Sequence, residues 1–118
     1  LNLKAVVFDI DGTLSPDISW TKVTQLLGSS VPNHEKIYED FKNGKLSYIE
    51  SKKAILKLWR GKGDLHKNRL KDIFENWDLK ATSVAIFNYL QFKGYITCLI
   101  TGSMDLFVDD LSQLKNIL

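Results

Sequence analysis

The chain has 118 residues, enough for one ordinary domain, and its 16 Lys and Arg against 14 Asp and Glu leave a net charge of only +2. That balance gives no reason to expect a nucleic-acid partner, and no apolar run approaches the ~20 residues needed to cross a bilayer, so no membrane partner is expected either. The single cysteine, Cys98, cannot form an internal disulfide, which fits a reducing cytoplasm, and no leader-type segment is visible before the first apolar run.

The first element is an apolar strand over residues 3–8, followed by Asp9, Asp11 and Gly12. Residues 15–79 then read as mostly helical, without a strand of comparable quality. Ser19 precedes a helix over 20–27, which Gly28 closes in the usual C-terminal position. A loop through Ser29, Ser30, Pro32 and Asn33 leads to a second helix near 34–42, ended by Asn43 and Gly44. Ser47 with Glu50 three residues on forms a capping box for a helix running through Ile55 and Trp59. Gly61, Lys62 and Gly63 break it, and residues 65–76 make another helix. Trp20, Trp59 and Trp77, with Phe41 and Tyr48, are the expected small core of this insert. Its many lysines fall on exposed helix faces, where a solvated surface is the default reading.

The pattern returns to strand after a helix near 82–93 and Gly94. Residues 95–100 are apolar and end at Thr101, Gly102 and Ser103. Beyond them Phe107, Val108, Leu111 and Leu114 recur at helical steps, which puts Asp109 and Asp110 on the solvated face. A strand, a crossover and a parallel strand predict a right-handed α/β unit with Asp9 and Thr101 at neighbouring strand ends. Ligands bind at that end of open α/β sheets.

Two carboxylates one residue apart at a strand end disfavour each other's ionisation unless a cation or substrate offsets them. In an extended segment Asp9 and Asp11 project to the same side, and Gly12 permits an immediate turn. Asp9 is therefore the candidate nucleophile, since carboxylates form acyl-phosphate intermediates. Asp11 is close enough to act as general acid and base. Facing phosphate oxygens, the pair would call for Mg²⁺, with Asp9 and Asp11 as its ligands. The plainer alternative is a strand-end bend made by Asp-Gly alone. Thr101, Gly102 and Ser103 between a strand and a helix suit an anion, because free N–H groups gather at helix starts. The alternative there is ordinary helix capping, with Ser103 the better cap.

Asp9-Ile10-Asp11-Gly12-Thr13-Leu14 resembles the first signature motif of the haloacid dehalogenase superfamily, in its phosphatase branch. Ile96-Thr97-Cys98-Leu99-Ile100-Thr101 is similar to its second. Leu14-Ser15-Pro16 with Ser19-Trp20, and the stretch 41–48 with Leu58-Trp59-Arg60-Gly61, resemble the phosphoserine-phosphatase-like subgroup along the whole chain. The resemblance implies a partial Rossmann-like parallel-sheet core, residues 1–14 and 80–118, and an all-α cap over 15–79 that covers the active site. It implies a Mg²⁺-dependent phosphomonoester hydrolase acting on a small phosphorylated metabolite. Asp9 would be the phosphoryl acceptor and a metal ligand, and Asp11 the general acid and base with its carbonyl on the metal. Thr101, Gly102 and Ser103 would bind the phosphoryl group.

The family's third motif, a Lys, and its fourth, an acidic cluster, have no convincing match; Lys93, Lys115 and Asp109-Asp110 are weak stand-ins. With only two parallel strands, the sequence reads as an excerpt, and the 118 residues alone are expected to be inactive. The paired Glu of true phosphoserine phosphatases is absent after Leu14, where Asp17 stands, and Arg60 and Arg69 are the only arginines, so the substrate stays open. A non-catalytic phosphate-binding module and a phosphotransferase or mutase are the alternatives. The oligomeric state is not legible.

Overall fold

A computed structural model describes residues 2, 4–61 and 65–110. In chain order the elements are strand β1 (Ala5–Phe8) and helices α1 (Ser19–Leu26), α2 (Val31–Lys42) and α3 (Tyr48–Arg60). Then come α4 (Lys67–Glu75), α5 (Ala81–Phe92), strand β2 (Ile96–Leu99) and α6 (Asp105–Asp110). The chain divides into two compact units, one of Leu1–Ser19 with Lys71–Leu118, the other Trp20–Leu70. No helix among the described residues is long and apolar enough to cross a membrane.

The first unit is built on a parallel pairing of β1 with β2, in the register Ala5 to Ile96 through Phe8 to Leu99. Alternation along each strand puts Val6, Phe8, Thr97 and Leu99 on one face. That face is half-buried, and the Phe8 ring lies 5.0 Å from Phe87, a fully buried residue of α5. The chain leaves α5 through Gly94, whose positive φ of 82° closes the helix and lets Tyr95 N–H reach Leu90 O. On the opposite face Val7 is 52% exposed and Ile96 63% exposed. Parallel sheets are normally covered on both faces, and among the described residues this face is covered only in part, at Cys98. A second cluster closes the unit: Phe107 of α6 is fully buried, with its ring 5.3 Å from Phe74 and 5.0 Å from Trp77. The element type and order match the sequence expectation of a helix-rich α/β fold with a parallel sheet.

The second unit is helical. Gly28, at φ 73°, lets Ser29 N–H reach Thr24 O and ends α1 as expected. Helix α2 begins three residues earlier than the sequence reading placed it. Ser30 caps it by accepting Asn33 N–H at 3.2 Å, and Pro32 sits in the first turn, where no amide donor is required. The capping box of α3 forms as read, with Ser47 N–H donating to Glu50 Oε2 at 2.7 Å and Glu50 N–H to Ser47 Oγ at 3.1 Å. The Ser47 amide holds the Glu50 carboxyl below its usual range.

Trp59 is the core of this unit at 1% exposed, and it stacks on Trp20 with centroids 5.3 Å apart. Its indole N–H donates to Thr24 Oγ1 at 2.8 Å, and Thr24 in turn meets His34 Nδ1 at 2.6 Å. Thr24 has one hydroxyl proton, directed to Trp20 O at 3.0 Å, so its two lone pairs take the indole N–H and an Nδ1–H of His34. Two members of the expected aromatic core differ. Trp77 belongs to the first unit, drawn there by Phe74 and Phe107, and Tyr48 is 57% exposed beside the α3 cap. Lys62 and Gly63, read as helix breakers, lie outside the described residues, as do Leu111 and Leu114.

His34 supplies a pH test of this unit. Burial first, then the charge of Lys52, lower its pKa below 6.5, against a smaller opposing effect of Glu35. The native imidazole therefore takes up a proton later than the unfolded one. Its contribution to stability is complete above pH 6.5 and is lost as the pH falls through the native value. Urea midpoints of the chain should fall between pH 7.5 and 5, and His34→Gln should flatten that part of the profile.

Candidate functional site

The turn after β1 is organised by one carbonyl. The amides of Thr13, Leu14 and Ser15 all donate to Ile10 O, at 3.1, 3.0 and 3.0 Å. Ile10 is fully buried beneath the turn, and Gly12 takes a φ of 74°, a conformation in which a Cβ is strained. Leu14 O then accepts Lys80 N–H at 2.8 Å and Ser83 Oγ at 3.0 Å, which fastens the turn to the start of α5. Ser15 is fully buried and accepts the indole N–H of Trp77 at 2.9 Å. The turn is held from below by the core of its own unit.

The two carboxylates it carries differ in their surroundings. Asp9 is exposed, with Thr13 Oγ1 donating to its Oδ2 across a long 3.4 Å. Asp11 is half-buried, and its Oδ2 accepts both Ser19 N–H at 3.1 Å and Ser19 Oγ–H at 2.7 Å. Its other oxygen, Oδ1, is buried and has no hydrogen-bond partner. An unsatisfied buried acceptor costs about 1–3 kcal/mol, and such atoms call for a functional or structural explanation.

Ile100 N–H donates to Phe8 O at 2.9 Å, the last bond of the ladder. The register therefore leaves Asp9 and Thr101 at the same carboxyl end of two adjacent strands, as the crossover argument predicted. Thr101 is half-buried, and its Oγ1 accepts Ser103 N–H at 3.0 Å. That amide is engaged inside the loop. The Ser103 hydroxyl shares a hydrogen bond with Ser19 Oγ. Ser103 is not a helix cap, because α6 starts two residues later at Asp105.

Sequence reasoning passed over two residues at this turn. In the sequence Ser19 reads as the residue before a helix and, with Trp20, as part of the subgroup resemblance, yet it joins the Asp11 turn to the Thr101 loop. Lys80 was not singled out at all, yet its Nζ donates to Gly12 O at 3.3 Å. Of the Lys stand-ins, Lys93 lies over the Tyr89 ring at 5.8 Å, and Lys115 is outside the described residues. Asp109 is exposed as expected, but Asp110 is 8% exposed and is not on a solvated face. One helical turn separates it from Phe107, so the helix that buries the ring buries the acid with it.

Among the described residues no group of three or more His, Cys, Asp and Glu could hold a metal ion. The Asp9 and Asp11 pair still fits Mg²⁺ in the form that uses one or two carboxylates plus phosphate oxygens and retained waters. The chemistry of the set, all hard oxygens with one of them buried and unsatisfied, agrees with that ion.

No protein-family model and no curated protein sequence matches the chain. Its structure is similar to a solved structure described as the phospho-aspartyl intermediate analogue of phosphoserine phosphatase, with a TM-score of 0.70 and 19% sequence identity. The likeness covers 99% of this chain and 54% of that one, so the chain spans about half the length of its structural neighbour. At that identity the likeness shows the fold alone: a partial, helix-rich Rossmann-like α/β fold with a small parallel sheet.

The anchoring of the turn can be tested alone. Trp77→Phe removes the donor to Ser15 and some ring volume, and should destabilise the chain by about 1–3 kcal/mol in urea unfolding. An unchanged midpoint would mean that the indole contact does not hold the turn.

Proposed function

We propose that the complete protein carrying these residues is a Mg²⁺-dependent phosphomonoester hydrolase working through an aspartyl-phosphate on Asp9. Residues 1–14 and 80–118 would belong to its catalytic core, residues 15–79 would be its helical cap insert, and a small phosphorylated metabolite would be its substrate. The observation that carries this reading is the meeting of the Asp-x-Asp turn and the Thr101 loop at one end of two paired parallel strands. The neighbour's title, which names a phospho-aspartyl intermediate analogue, supports it by likeness of fold.

In the first step a carboxylate oxygen of Asp9 attacks phosphorus as the bond to the ester oxygen breaks. Asp11, entering protonated, gives its proton to that leaving oxygen, so the alcohol departs neutral. In the second step water attacks the phosphorus of the acyl phosphate and Asp11 takes its proton. The bond to Asp9 breaks, releasing inorganic phosphate and restoring both carboxyl groups. Thr101 is suited to bind the transferred group as a donor: its oxygen already accepts the Ser103 amide, which leaves its own proton free. Gly102 and Ser103 line the same loop. Mg²⁺, when bound at Asp9 and Asp11, neutralises charge on the phosphoryl oxygens. Positioning and electrostatics supply most of the rate in such transfers.

Hydrolysis of p-nitrophenyl phosphate by the complete protein with Mg²⁺ tests the reading. Asp9→Asn should abolish turnover, and Asp11→Asn should slow it by about 10²–10⁴-fold, the usual worth of a general acid and base. Ordinary activity in the Asp9 variant would refute the assignment. Phosphate binding without turnover in the unmutated protein would favour a binding module instead.

A further inference from the structure

Ser19 is fully buried, and every polar atom it offers to the site is committed. Its amide and its hydroxyl both donate to the same oxygen, Asp11 Oδ2, at 3.1 and 2.7 Å. A serine hydroxyl carries one proton. With that proton on Asp11, the hydrogen bond between the two serines runs one way, from Ser103 Oγ–H to Ser19 Oγ. Ser103 in turn donates its amide to Thr101 Oγ1 at 3.0 Å. A continuous path therefore links the Asp11 carboxylate to the Thr101 hydroxyl, although Ser19 and Ser103 are 84 residues apart.

The path treats the two oxygens of Asp11 differently. Oδ2 has two donors and is fixed in direction; Oδ1 is buried and has none. A carboxyl held by two donors on one oxygen is fixed in direction, and general acid catalysis depends on that orientation. We infer that Ser19 is a positioning residue for the phosphohydrolase reaction: it clamps Asp11 through Oδ2 and so fixes the orientation in which the carboxyl exchanges its proton with the leaving oxygen. Ser103 braces the clamp from the phosphate loop, so the acid and the phosphate-binding hydroxyl are set by one hydrogen-bonded unit. The inference rests on the proposed function, because a positioning residue presupposes the reaction.

A purely structural capping role for the Ser19–Asp11 contact predicts something different. Loss of fold stability lowers activity on all substrates alike, whereas a misaligned acid penalises poor leaving groups most. The complete protein should therefore be assayed by kcat/KM, which reports the first step, on p-nitrophenyl phosphate and on phenyl phosphate. The phenolate of the second leaves less readily and needs the proton more. Ser19→Ala should lower kcat/KM for phenyl phosphate about tenfold more than for p-nitrophenyl phosphate, a tenth or less of the full general-acid effect. Ser19→Thr, which keeps the hydroxyl, should restore most of the loss. Ser103→Ala leaves the clamp but removes its brace, and should show the same selectivity in weaker form. It carries the test if Ser19→Ala does not fold.

Equal losses on both substrates, or none, in the variants that fold would overturn the role of Ser19 and leave the hydrolase reading standing. No turnover of either ester by the unmutated protein would overturn the hydrolase reading, and the positioning role with it.

Discussion

The parallel pairing of Ala5–Phe8 with Ile96–Leu99 is the constraint on which the candidate site depends. Each strand is only four residues long, and with the Ser19–Ser103 hydrogen bond their pairing links the N-terminal turn to a loop more than eighty residues away in sequence. The register sets Phe8 against Leu99, which leaves Asp9 one residue and Thr101 two residues beyond the paired ends. A slip of one residue in either strand would turn its side chains to the other face. The register is pinned by burial on one face, where Phe8 meets Phe87, and by the flanking bonds from Ile96 to Lys4 and from Ile100 to Phe8.

Each unit then uses one buried hydroxyl as a junction for an indole. In the first, Ser15 takes the Trp77 N–H and ties the turn after β1 to the cluster of Phe74 and Phe107. In the second, Thr24 takes the Trp59 N–H and the His34 ring. A buried indole N–H usually finds an acceptor, and a hydroxyl that provides one is fixed by the exchange. The site inherits its rigidity from the first junction. The exposed Val7, Ile96 and Ile100 show the other side of the same design: a parallel sheet with one apolar face still open.

What was legible in the sequence was local. The strand before Asp9, the Gly12 turn, the Gly28 and Gly94 helix ends and the Ser47 capping box each depend on residues within a few positions. The helix-rich α/β fold with a parallel sheet that the sequence pattern implies is the fold that the structural likeness shows. The misjudged features depend on distant partners. Ser19 reads as the start of a helix, and only the fold brings Asp11 and Ser103 to it. Trp77 was grouped with the insert by its neighbours in sequence, but its packing partner Phe107 comes from beyond β2. Asp110 was assigned to solvent by helical period, although the same period places it one turn from the buried Phe107. The sequence reads Pro32 as part of a loop, yet it lies in the first turn of α2, which has no use for its missing amide.

The most direct test of the account is chemical trapping of the intermediate. The complete protein, quenched during turnover of p-nitrophenyl phosphate and reduced with borohydride, would convert an aspartyl phosphate to homoserine at the modified position. Peptide mass analysis should find homoserine at residue 9, and its yield should rise in the Asp11→Asn variant, where breakdown is slowed. Modification at another residue, or turnover with residue 9 unmodified in both proteins, would contradict the claim that the turn after the first strand carries the nucleophile.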